Sequence, residues 1–276
     1  MKIKTSKITF QLLVQKKKDK SQIPVVFLHG FGGSAGDWNF ITKKLNEKFF
    51  TIAVDLIGHG KTSAPANPKY YSARAIARQL NNIFNQLKLN KVILIGYSLG
   101  GRAALSYAVN YPYKISALVL ESTSPGIHNP VERIQRLTAD KTLSSKIKKS
   151  NLGDFFENWY NQQIFDSLKK NSAVDLKKLL RRKLKNSPVG LKNILSEFSP
   201  GKMPDYWNEF DHFTFPVLLI NGSLDKKYNI INKKAVKLLK YGSHKIIKGA
   251  GHNTHLEKPA DFINLVNRFL EKICSE

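Results

Sequence analysis

Residues 92–111 read VILIGYSLGGRAALSYAVNY. The apolar run at 92–95 has the length of a strand buried on both faces, and the segment from Arg102 onward reads as a helix. Between them lies Gly96-Tyr97-Ser98-Leu99-Gly100-Gly101, a G-x-S-x-G pattern in a strand-to-helix setting. So sharp a turn crowds its own backbone, and Gly96 and Gly100 leave the room it needs. The turn lifts the Ser98 hydroxyl to the top of a sheet, where it is poised to react.

The same strand-like runs recur along the chain: VVFL at 25–28, FTIAVDL at 50–56, ALVL at 117–120 and VLLI at 217–220. The first 15 residues alternate instead (Ile3, Thr5, Lys7, Thr9, then Phe10 to Val14), which predicts an antiparallel hairpin at a sheet edge. Segment 72–89 sets Ile76, Leu80, Ile83, Phe84 and Leu87 on one helical stripe behind the N-cap candidate Ser72. Segment 260–273 does the same with Phe262, Ile263, Val266, Phe269 and Leu270. Buried strands alternating with helices call for a parallel sheet covered on both faces. Between about 124 and 210 the pattern changes to polar, helix-like sequence broken at Pro125-Gly126, Gly153, Pro188 and Ser199-Pro200-Gly201. The expected organisation is a core at 1–123, a helical cap at 124–210 and the rest of the core at 211–276.

With 276 residues, 42% hydrophobic and 24% charged, the chain can bury one large core, which argues against disorder. No stretch approaches the roughly 20 apolar residues of a membrane span. Cys274 is a lone cysteine and Met1-Lys2-Ile3-Lys4 leads into strand-like sequence, so a reducing, cytoplasmic location is expected. The 45 Lys+Arg against 20 Asp+Glu give a net charge of +25, which favours anionic partners. Most of this is lysine in a chain also rich in Asn and Ile, the bias of AT-rich coding sequence. Runs such as Lys16-Lys17-Lys18 lack interleaved aromatics and read as solvated faces, so no specific nucleic-acid partner is expected. The arginines are more telling. Arg133, Arg136, Arg181 and Arg182 lie in the helical segment and Arg102 lies on its approach, and arginine grips carboxylates bidentately.

A serine hydroxyl is inert near neutral pH unless a histidine takes its proton and an acid orients that histidine. Asp225 follows VLLI in Asn221-Gly222-Ser223-Leu224-Asp225, and His252 follows the strand-like HKIIK in Gly249-Ala250-Gly251-His252. Each falls at a strand's C-terminal end, where parallel sheets place their sites. His29-Gly30-Phe31-Gly32-Gly33, after the first buried run, suits an oxyanion loop in which the backbone N–H groups of Phe31 and Leu99 face a developing negative charge. His29 reads as a brace for that loop, and Asp55 with Gly58-His59-Gly60 as a structural turn.

In the chain order Ser, Asp, His, the sequence resembles the α/β-hydrolase superfamily across nearly its whole length. The resemblance implies an α/β fold, a mostly parallel sheet flanked by helices with a helical cap between strands. A narrower resemblance rests on HGFGG with Trp38, GYSLGGR at 96–102, LESTSPGI at 120–127, ERIQR at 132–136 with Asp140, NWYNQQIF at 158–165 and NGSLDKKY at 221–228. These segments, cap included, are similar to the 2-succinyl-6-hydroxy-2,4-cyclohexadiene-1-carboxylate synthases of menaquinone and phylloquinone biosynthesis. That family implies a lyase expelling pyruvate from a small tricarboxylate, with Ser98 as base beside Asp225 and His252 and with no metal or organic cofactor. It implies substrate contacts from Tyr97, Arg102, Arg136 and Trp159, with Arg133 a further candidate one turn from Arg136. Lys183 stands where the family has a carboxylate-binding arginine, and Arg181 or Arg182 is available to compensate. Gln163 replaces a proline. A monomer or weak homo-oligomer is expected. The residues alone also admit a serine hydrolase (esterase, thioesterase or C–C bond hydrolase) or a catalytically silent ligand receptor.

Overall fold

Eight strands form one sheet in the order β1-β2-β4-β3-β5-β6-β7-β8. In this computed structural model the described residues are 1–5, 7–15, 23–45 and 49–275; the Lys16-Lys17-Lys18 run lies outside them. The strands are β1 (Lys2–Thr5), β2 (Ile8–Gln15), β3 (Val25–Leu28), β4 (Thr51–Val54), β5 (Val92–Tyr97), β6 (Ile115–Glu121), β7 (Val217–Gly222) and β8 (Gly242–Ile247). β1 and β2 form the antiparallel hairpin, β2 runs antiparallel to β4, and all pairings from β4 to β8 are parallel.

The unbroken apolar runs are explained by two cores, one on each face of the sheet. Val26, Leu28, Ile52, Val54, Leu94 and Leu120 pack with α2 (Ala73–Gln86) and α3 (Leu99–Asn110). The alternate residues Val25, Phe27, Ala53, Ile93, Ile95 and Val119 pack with α1 (Asn39–Leu45) and the C-terminal helix (Pro259–Ser275). Each Val, Leu, Ile or Phe among them contributes about 1.5–3 kcal/mol by leaving water. Ser72 caps α2 by accepting from Ala75 N–H. At the edge of the sheet, β8 carries the exposed Lys245, a charge that discourages further strand pairing.

Between β6 and β7, five α-helices follow one another: α4 (Pro130–Ser145), α5 (Leu152–Tyr160), α6 (Asp166–Lys170), α7 (Leu176–Lys183) and α8 (Pro188–Glu197). Two expected breaks prove to be helix starts. Pro188 occupies the first turn of α8, where its missing N–H costs nothing, and Gly153 lies in the first turn of α5. A third apolar cluster, including Leu152, Phe155, Phe156, Leu168, Leu179 and Leu191, holds these helices together.

Two devices fasten them to the sheet. Asn186, just past α7, accepts from Gly60 N–H at 2.8 Å and donates to Gly32 O at 2.8 Å. Gly190 of α8 lies so close to Gly58 that a Cβ on Gly58 would meet the Gly190 Cα at 2.7 Å; Gly58 also has φ +76°. After β7 come α9 (Lys226–Ala235), α10 (Thr254–Glu257) and α11 (Pro259–Ser275). Among the described residues no helix is long and apolar enough to cross a membrane.

Candidate active site

The serine turn is as tight as its glycines suggest. Ser98 sits between β5 and α3 with φ 50° and ψ −105°, a left-handed conformation that costs a non-glycine residue about 1–3 kcal/mol. A Cβ on Gly96 would meet Gly101 N and Cα at 2.5 Å, one on Gly100 would overlap the Leu28 carbonyl, and one on Gly101 would overlap the Thr123 hydroxyl. The elbow therefore presses α3 onto β3 and β6, leaving the half-buried Ser98 over the C-terminal edge of the sheet.

Asp225 and His252 arrive there from β7 and β8. Asp225 caps α9 by accepting from Tyr228 N–H at 3.2 Å, which fixes its carboxylate, and Oδ2 accepts from His252 Nδ1 at 2.7 Å. Both side chains are almost wholly buried. The histidine loop is held by Glu257, whose carboxylate accepts from Gly251 and Asn253 N–H. His252 and Ser98 line one cavity. Among the described residues no hydrogen bond joins them, and such catalytic bonds commonly tighten only around substrate.

Phe31 and Leu99 line the same cavity. Leu99 opens α3, so its N–H has no acceptor within the helix. The Phe31 loop is braced as expected: His29 Nε2 accepts from Leu56 N–H at 3.0 Å, which leaves Nδ1 to donate to Gly30 O at 2.8 Å. Burial holds the His29 pKa below its usual value, consistent with this neutral form. His59 is also structural, buried with Nδ1 on Ile57 O, and burial and His29 keep it neutral.

The cavity measures about 950 Å³ with its open mouth included. Tyr97, Arg102, Arg136, Trp159 and Lys183 all line it. Tyr97 packs its ring against Gly30, and burial raises its hydroxyl well above the usual range, so it is a proton donor. Arg102, 8% exposed, makes no ion pair among the described residues, although Asp140 is near enough to favour its charge: Nη2 donates to Phe198 O at 3.1 Å and Nε has no partner. Burial, with Arg136 nearby, brings its pKa down to about 10. Arg136 Nε is held by Asp140 at 2.7 Å. Trp159 lies 4.7 Å from the Phe31 ring, centroid to centroid.

Two arginine alternatives and one candidate ligand fall elsewhere. Arg133 does not line the cavity; it donates to Met203 O at 3.0 Å and braces the chain after α8. Arg181 lies on the outer face of α7, and Arg182 reaches Asp37 at 3.4 Å without lining the cavity. Lys183 is thus the one of these three cations that reaches the cavity, and it is already paired, with Nζ 2.9 Å from Asp37 Oδ2. Burial would lower its pKa, but Asp37 outweighs this and raises it. Burial likewise opposes ionisation of Asp37, but Lys183 and Arg182 bring it down to about 2. Gln163 occupies the first position of a short 3-10 turn, a place that suits proline equally well.

Sequence reading missed Asp37, Lys227, Tyr228 and Phe165, which also line the cavity. Lys227 and Tyr228 carry a faint signal, since they occupy the first turn of a helix capped by Asp225. Asp37 carries none, because its partners lie on α7. A second buried pair, His255 Nδ1 on Glu121 Oε2 at 2.7 Å, stacks against Trp38 and flanks Tyr97. Among the described lining residues, Arg102, Arg136, Lys183 and Lys227 face a single carboxylate, Asp37. That imbalance suits an anionic ligand. Among the described residues, no cluster of three or more His, Cys, Asp or Glu could hold a metal.

Comparison with known proteins agrees with this geometry. The family model of the α/β-hydrolase fold matches residues 23–259. A candidate 2-succinyl-6-hydroxy-2,4-cyclohexadiene-1-carboxylate synthase of Bacillus subtilis is 41% identical over 250 residues, covering 90% of each chain. The synthase of that name from Salmonella arizonae is 29% identical, covering 94% of this chain and 98% of its own. Among solved structures, MenH from S. aureus superposes with a TM-score of 0.87 at 28% identity, covering 96% of this chain and 98% of its own.

Proposed function

This chain belongs to the α/β-hydrolase family and, within it, to the 2-succinyl-6-hydroxy-2,4-cyclohexadiene-1-carboxylate synthases, and from that premise we propose how its own residues perform the reaction. The substrate is 2-succinyl-5-enolpyruvyl-6-hydroxy-3-cyclohexene-1-carboxylate, and the step is elimination of pyruvate. His252, oriented by Asp225, draws the proton from Ser98, whose oxygen takes the proton at ring carbon 2, beside the succinyl ketone. The N–H groups of Phe31 and Leu99 hold the enolate oxygen. Collapse of the enolate forms the C2–C3 double bond, moves the ring alkene to C4–C5 and breaks the C5–O bond. The departing enolpyruvate takes up the proton carried on His252 and ketonises to pyruvate. All proton transfers are carried by side chains of the chain, so the reaction needs no metal or organic cofactor. The setting proposed is the cytoplasm, with a monomer or weak homo-oligomer as the working form.

The observation that carries this reading is Arg102, a guanidinium buried beside the serine and, among the described residues, directly paired with no carboxylate of the protein. A hydrolase of neutral esters gains nothing from such a group, whereas a substrate with three carboxylates supplies its partner. The test is to give the purified protein freshly made enolpyruvyl substrate, following pyruvate and diene absorbance together, with a p-nitrophenyl ester in parallel. Pyruvate and diene in equal amounts, lost in Ser98→Ala, are expected. Ester cleavage without pyruvate would overturn the reading in favour of ordinary acyl transfer.

A further inference from the structure

The cavity has two charged ends of different character. At one, Lys183 is tied to Asp37. At the other, Arg102, Arg136 and Lys227 converge; Asp140 is occupied by Arg136 Nε and Asp225 by His252, so neither pairs with Lys227 or Arg102. Lys227 lies at the exposed mouth and, among the described residues, pairs with no carboxylate. Tyr228, next to it, is buried with its ring 4.9 Å from that of His252, and among the described residues its hydroxyl has no hydrogen-bond partner although it lines the cavity.

We propose that Lys227 and Tyr228 complete, with Arg102 and Arg136, a carboxylate subsite at the mouth of the cavity, with Lys227 setting affinity by charge and the Tyr228 hydroxyl donating to a carboxylate oxygen. The first turn of α9 puts both in place: Asp225 caps it, and the residue three positions on turns back over the same end. Charge supports the assignment. Partial burial and Arg136 depress the Lys227 ammonium, and burial keeps the Tyr228 phenol protonated even though Arg102 favours its ionisation. Cations that repel one another in the free protein are relieved when an anion joins them. Because Lys227 is exposed, its share is screened by salt, whereas that of Arg102 is not.

The proposal rests on the elimination reading for one arm of its test only. The full-length protein and the variants Lys227→Gln, Tyr228→Phe and Lys226→Gln are titrated calorimetrically with tricarballylate, a simple tricarboxylate, at low and high salt. Pyruvate release is measured on the same samples. Lys227→Gln is expected to weaken tricarballylate binding and raise KM about fivefold, with kcat within about twofold. The effect should fade at high salt. Tyr228→Phe, which keeps the ring on His252, is expected to do the same without the salt dependence. Lys226→Gln, on the same helix but outside the cavity, is the control. Binding and KM in Lys227→Gln and Tyr228→Phe equal to the control would overturn the subsite. If the unaltered protein releases no pyruvate, the elimination reading falls, and the tricarballylate comparison still decides the subsite.

Discussion

Arg102→Met is expected to make the protein more stable and almost inactive. A cation whose pKa is lower in the fold than in the unfolded chain is penalised at every pH where both forms are charged, neutral pH included. The penalty begins to fade only as pH rises through the folded value, here about 10, and is gone only above the ordinary arginine range. A fall of more than two pH units, at ~1.4 kcal/mol each, gives a penalty of about 3 kcal/mol. Methionine escapes it but gives up the hydrogen bond to Phe198 O, about 1 kcal/mol, and the approach of the guanidinium to the Phe198 ring, about 0.5–1 kcal/mol. A net gain of about 1 kcal/mol raises Tm by roughly 2–4 °C. Removing a buried charge that a substrate carboxylate would pair with costs about 3 kcal/mol of transition-state binding, roughly a hundredfold in kcat/KM. Scanning calorimetry and pyruvate release read the two effects on one preparation. A variant that melts several degrees lower, or turns over at near-normal rate, would refute the account of Arg102 as a charge held ready for substrate at the fold's expense.

Other perturbations give separate readouts. Ser98→Ala should lower turnover by about 10³-fold or more while leaving the circular dichroism spectrum unchanged, and Ser98→Gly, which relieves the left-handed strain, should be equally inactive and melt higher. Asp37→Asn leaves Lys183 buried without its partner and should cost about 3 kcal/mol in urea unfolding. Since the Asp37 pKa is lowered, its contribution is complete above the ordinary carboxylate range and is lost as pH falls toward about 2, so the two proteins should converge in strong acid. Gly100→Ala drives a methyl into the Leu28 carbonyl and should yield insoluble protein; a soluble, active variant would contradict the packing of the elbow.

The sheet was legible because its strands announce themselves locally. An unbroken run such as Val25–Leu28 has only one economical home, between two layers. The positions of Ser98, Asp225 and His252 were legible for the same reason, each being the residue that a strand delivers to its C-terminal edge. Reading failed where partners are distant in sequence. Arg133 and Arg136 look alike on one helix, yet one turn of difference sends the first to Met203 O and the second to the cavity. Nothing near Lys183 in sequence shows that it is paired, because Asp37, which claims it, is 146 residues away on the other side of the core–cap junction. Gly153 looked like a break because glycine is costly inside a helix, but in a first turn that cost is small.

The bonds of Asn186 to Gly60 and Gly32 join positions 126 and 154 residues apart, and the Gly58–Gly190 contact is of similar span. None can form until the loops after β3 and β4 stand side by side on a finished sheet. The expected order in time is sheet first, helical cap last, with the slow closure that long-range contacts impose. A refolding chain is expected to regain its strands, and even its serine elbow, well before it regains the power to hold an anion.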